Sequence, residues 1–118
     1  IALLPENRMS FVIETVGEVQ VVAVVGQLVV GNRQEFKQTV LDEVEKGARR
    51  ILIDFSETGY VDSSGLGALV SLNKRLREAG GELRLAALNE DMRTLFELTR
   101  LDTLFQLYGS RADALANF

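Results

Sequence analysis

The sequence predicts an α/β fold: one domain over residues 1–118, with a mostly parallel sheet, an antiparallel N-terminal strand and about four helices. Three observations lead there. Two β-like runs open the chain around a glycine turn. Helical and strand periodicities then alternate to the C-terminus, and no repeat, linker or low-complexity stretch interrupts them.

The first pair of runs is Met9 to Val16 and Val19 to Val25, rich in Val, Ile and Phe, with Gly17-Glu18 placed for a tight hairpin. The second run is almost wholly apolar, as in a strand covered on both faces. Gly26 to Gly31 reads as a loop. From Asn32 the apolar residues Phe36, Val40 and Val44 recur every four positions, which is a helical stripe; Asn32 suits its N-cap and Glu35 the capping-box position. Gly47 ends that helix. Arg50 to Phe55 reads as a buried strand. Gly65 to Glu78 reads as a helix buried through Leu66, Leu69, Val70 and Leu76 and stopped by Gly80-Gly81. Leu83 to Leu88 is a further strand. Asn89 caps a short helix carrying Met92, Leu95 and Phe96, Leu104 to Tyr108 forms a last strand, and Ser110 with Asp113 opens a C-terminal helix.

Composition narrows the chemistry. A chain of 118 residues, 47% apolar and 25% charged, can bury a core without disulfides or metals. Cysteine and histidine are both absent, so a thiolate nucleophile, a Cys/His zinc site and a Ser-His-Asp hydrolase are excluded. A net charge of −4 and the lack of a basic run argue against nucleic acid as a partner. No apolar stretch is long enough for a membrane span. Ile1 to Leu4 is followed at once by Pro5, Glu6, Asn7 and Arg8, which is not a leader pattern, and the missing cysteine fits a reducing cytoplasm.

The informative stretch is Asp62-Ser63-Ser64-Gly65-Leu66-Gly67, after a strand and a short loop and at the opening of a helix. Helix N-termini carry unpaired N–H groups and the positive end of the helix dipole, so a phosphate attached there could accept hydrogen bonds with little backbone movement. Gly65 and Gly67 would let another molecule approach the backbone. A plain N-cap serine, with the glycines kept for helix packing, is the simpler account of an isolated Ser-Ser-Gly; Asp62 then serves as a loop acid or an alternative cap. Other motifs fail. Val70 stands where a dinucleotide fingerprint needs its third glycine, no Walker A sequence exists, and the serines lack the preceding glycine of a nucleophile elbow. Asp54 lacks the acidic pair and lysine of a phospho-accepting receiver and reads as a loop-anchoring acid.

Ile51-Leu52-Ile53-Asp54-Phe55, the Asp62–Gly67 box, Gly80-Gly81-Glu82-Leu83 and the segment MRTLFELTRL from Met92 to Leu101 together resemble the STAS domain of bacterial anti-sigma factor antagonists, from about Ser10 to the C-terminus. The resemblance implies partner switching by a protein that is not itself an enzyme and needs no cofactor. The unphosphorylated form binds an anti-sigma factor that is also a serine kinase, phosphorylation at Ser63 releases it, and a serine phosphatase restores it. Ser64 matches a neighbouring cap or packing hydroxyl. The implied partner-binding residues are Asp62, Ser63, Ser64, Gly65, Leu66, Gly67 and Val29. The physics agrees: a phosphate brings about −1.5 to −2 charges beside Asp62, and a loss of ~3 kcal/mol weakens docking about a hundredfold.

One position departs from that pattern. Where the family typically reads Gly-Glu-Leu-Asp, this chain has Gly26-Gln27-Leu28-Val29, so the aspartate near the serine in relatives is absent. The departure favours an alternative: a STAS scaffold, never phosphorylated, within a transporter or signalling complex. Val30 adds to the apolar character of this loop, either as a docking patch or as core packing. A small nucleotide-binding or hydrolytic enzyme is a third reading, with no base, metal cluster or phosphate loop to support it. Lys74, Arg75 and Arg77 read as the solvated face of their helix.

Overall fold

The computed structural model describes residues 10–118. The expected strand start at Met9 and the leader reading of Ile1 to Arg8 lie outside the described residues. The elements are β1 (Ser10–Val16), β2 (Val19–Leu28), α1 (Arg33–Glu45), β3 (Arg50–Asp54), β4 (Thr58–Val61), α2 (Ser63–Glu78), β5 (Glu82–Ala86), α3 (Glu90–Leu98), a 3₁₀ turn (Leu101–Thr103), β6 (Gln106–Tyr108) and α4 (Arg111–Ala116). The sheet runs β1-β2-β3-β5-β6, with β4 pairing β2 off that path. β1 and β2 are antiparallel, Val16 facing Val19 across Gly17-Glu18, and the remaining pairs are parallel.

β2 has helices on one side and α4 on the other, which explains its almost wholly apolar run. Val22 and Val24 join Ile51, Ile53, Leu83 and Leu85 under α1, α2 and α3, where Phe36, Val40, Leu69, Leu72, Leu76, Met92 and Phe96 complete the main core. Val19, Val21, Leu52 and Ala86 point the other way and meet Ala114 of α4. The α4 side is thinly covered, and polar contacts reinforce it. Asp54, 3% exposed at the end of β3, accepts from the Ser56 N–H at 2.9 Å and from Arg111 Nε at 2.9 Å. Arg111 also reaches Glu14 of β1 at 2.5 Å, and its pKa is raised chiefly by the hydrogen bond to Asp54. Asp54 therefore anchors a loop, as its position in the sequence suggested.

Two expectations change. The stretch Gly26 to Gly31 is not all loop, because β2 continues to Leu28 and pairs there with β4. β3 ends at Asp54 while β2 runs on, so the vacated edge of β2 takes up residues 58–61 after a register shift at Gly26/Gln27. Gly26 absorbs that shift at φ 108°, a conformation that disfavours any side chain. Thr58 locks the pairing by donating its hydroxyl to the Val24 carbonyl at 2.6 Å. Val70 is the second change: it is 37% exposed, since the inward stripe of α2 passes through Leu66, Leu69, Leu72 and Leu76 and leaves Val70 to one side.

The caps on α3 and α4 follow the sequence. Asn89 Oδ1 accepts from the Met92 N–H at 2.9 Å, and Ser110 Oγ from the Asp113 N–H at 3.1 Å. Asn32 occupies the N-cap position of α1 without a side-chain cap bond. Its amide turns back instead, accepting from the Val29 N–H at 2.8 Å and donating to the Gln27 carbonyl at 3.0 Å.

Candidate functional site

The serine box sits where β4 turns into α2. The helix starts at Ser63, two residues before the expected Gly65, and its N-cap is Asp62 rather than a serine. Asp62 is in extended conformation and Oδ1 accepts from the Gly65 N–H at 2.9 Å. Oδ2 accepts from the Val30 N–H at 3.1 Å, and the Asp62 N–H donates to the Leu28 carbonyl at 3.1 Å. One aspartate thus caps the helix and ties its first turn to the loop after β2. An acid suits this position because both partners are N–H donors beside the positive end of a helix.

With the cap taken by Asp62, the serines are free of that task. Ser63 is exposed and Ser64 half-buried, and the Ser63 hydroxyl makes no hydrogen bond among the described residues. Gly65 is buried and Leu66 is 6% exposed. A Cβ on Gly65 would lie 2.8 Å from the Leu28 carbonyl oxygen and 2.8 Å from Val61 Cγ1, so the space beside it is filled from within the domain. Gly67 is exposed and a Cβ there would meet nothing within 4 Å. Ser63 and Gly67, one turn apart, therefore share an outward face, with Val70 further along it.

Val29 is half-buried and Val30 is 64% exposed beside the Asp62 carboxylate. Tyr60, 56% exposed on β4, adds an aromatic ring two residues before Asp62. Sequence reasoning passed over Tyr60; the signal was the apolar pair Tyr60-Val61 ahead of the box, of which only Val61 is buried. The arrangement places a hydroxyl, a notch and scattered apolar side chains together on an open surface.

A family model for the STAS domain matches residues 10–114. BtrV of Bordetella bronchiseptica is 32% identical over 87 residues, 74% of this chain and 75% of that one. The anti-sigma-B factor antagonist of Listeria monocytogenes is 40% identical over 65 residues, 55% of this chain and 57% of that one. The crystal structure of an anti-sigma factor antagonist from Mycobacterium paratuberculosis superposes with a TM-score of 0.86 at 26% identity, over 97% of each chain.

Proposed function

The chain belongs to the STAS domain family, and on that premise we propose that it is a cytoplasmic anti-sigma factor antagonist that works by partner switching, with Ser63 as the phosphorylated residue. The observation that supports this most directly is the exposed hydroxyl of Ser63 at the start of α2, unbonded among the described residues. A kinase must seat a serine in its own active site, so the acceptor oxygen has to be reachable and uncommitted. The names of the relatives support the antagonist role.

In this reading the unphosphorylated protein docks on an anti-sigma factor through Ser63, Gly67 and the neighbouring Asp62, Ser64 and Val29, with Gly65 and the buried Leu66 keeping the helix seated. The partner, a serine kinase, transfers the γ-phosphoryl group of ATP to Ser63 Oγ; the hydroxyl proton leaves and ADP departs. The new charge stands next to Asp62, whose carboxylate is held in place by Gly65 and Val30, so repulsion falls on the partner surface. The switch is local. A serine phosphatase hydrolyses the ester and restores docking. The protein contributes binding and an acceptor oxygen, not catalysis.

The test is incubation with its anti-sigma kinase and ATP, followed by intact mass and site mapping. One phosphate on wild type and none on Ser63→Ala is the expected result, with anti-sigma binding kept by Ser63→Ala and weakened about a hundredfold by phosphorylation. Absence of phosphate on wild type overturns the kinase step. A second reading, the unphosphorylated scaffold, is favoured by Val29, which puts a half-buried aliphatic chain where the family carries an acid near the serine. Intact mass of protein from its native cell, with and without phosphatase treatment, separates the two.

A further inference from the structure

The other half of α2 carries a feature unrelated to the serine box. Between the helix, the Gly81 turn, β5 and the segment leading to β6 lies an open cavity of about 500 Å³, within the size range of small-molecule sites. A second hollow of about 290 Å³ adjoins it and shares Asn73, Arg77 and Leu104.

Asn73 is the unusual member. It is 7% exposed, flanked by Leu72 and Leu76 at 0%, and its carboxamide makes no hydrogen bond among the described residues. Among those residues no side-chain nitrogen or oxygen sealed from solvent lacks a partner, so the Asn73 amide is not sealed and opens into the cavity it lines. An amide can donate two hydrogen bonds and accept two, and this one spends none of them within the described residues, so all are available to a molecule in the cavity.

One helical turn on, Arg77 lies on the same side of α2. It is exposed and forms no ion pair among the described residues. Arg84, the other cation at the wall, is already engaged by Glu82 at 3.3 Å, by the Tyr108 hydroxyl at 2.8 Å and by the Asn117 carbonyl. At the rim, Lys74 and Glu78 carry opposite charges. Val70 and Leu104, 37% and 39% exposed, give the second hollow an apolar wall.

We propose that this cavity binds a small carboxylate with an adjacent amide and an apolar side chain. The carboxylate pairs with the Arg77 guanidinium, the amide exchanges hydrogen bonds with Asn73, and the side chain rests on Val70 and Leu104. An N-acyl amino acid and the C-terminal residue of a peptide share this chemistry. The site lies about 15 Å along the helix from Ser63, given ten residues at 1.5 Å each.

The experiment is a titration of ¹⁵N-labelled protein with N-acetyl-L-leucine and with a tetrapeptide ending in leucine, each beside its C-terminal carboxamide form. Saturable shifts at Asn73, Arg77 and Glu82 to Arg84, about tenfold weaker for the carboxamides, are expected. The tighter of the two acids identifies the source. No saturable shift, or equal binding of acid and carboxamide, overturns the proposal. Asn73→Leu keeps or raises Tm while weakening binding about tenfold, and the exposed Arg77→Gln does the same without touching the core. Unchanged binding in both variants, or a lower Tm with unchanged binding for Asn73→Leu, makes Asn73 a packing residue and overturns the assignment.

Discussion

The first two turns of α2 have an inner and an outer side, and the same residue types do opposite work on each. Inside, Gly65 is glycine because Leu28 and Val61 occupy the space of a side chain, and Asp62 spends both oxygens on backbone N–H groups. Outside, Gly67 borders open space and the Ser63 hydroxyl is uncommitted among the described residues. A box read along the chain as one motif is divided lengthwise by the helix. Its inner half holds the element in place, and its outer half is available to something else.

Substitutions can break this division. Gly65→Ala gives the largest effect: the added methyl meets backbone as well as side chain, and overpacking of this kind costs about 3 kcal/mol, read from the midpoint of urea unfolding. Asp62→Ala removes the cap and frees the loop at Val30, costing about 1–2 kcal/mol in the same assay. Gly67→Ala moves the other way and stabilises by about 0.5–1 kcal/mol, since a helix prefers alanine and nothing obstructs it. Ser63→Ala changes stability least, within about 0.5 kcal/mol, while abolishing phosphate incorporation in the kinase assay. If Gly67→Ala proves as damaging as Gly65→Ala, the inner and outer sides are not distinct.

Much of this was legible in the sequence because it is local. The Gly17-Glu18 hairpin, the double-sided burial of β2 and the caps at Asn89 and Ser110 each depend on a few adjacent residues. β4 escaped because Thr58-Gly59-Tyr60-Val61 is short and contains a glycine. It is a strand only because β2 outruns β3 and Thr58 reaches Val24, a condition set by residues 34 positions away. Asn32 likewise looks like a cap, but β2 extends far enough to offer it Val29 and Gln27 instead. At the site, hydroxyls before a helix were visible in the string of residues. Which glycine faced inward was not, because that depends on the packing of Leu28 and Val61. Nothing in a helical Leu-Asn-Lys marks the Asn73 amide as lacking a partner among the described residues.

The pairing of Arg111 with Glu14 has a consequence at the margin of the sheet. Among the described residues β1 pairs only with β2, and Glu14 is its only charged side chain. Proteins commonly guard such a border with charges that deter edge-to-edge aggregation. Here that charge is offset by a guanidinium at 2.5 Å, beside exposed Val12, Ile13 and Val16. The contact that steadies α4 thereby leaves this border with a neutralised gatekeeper and little net charge of its own.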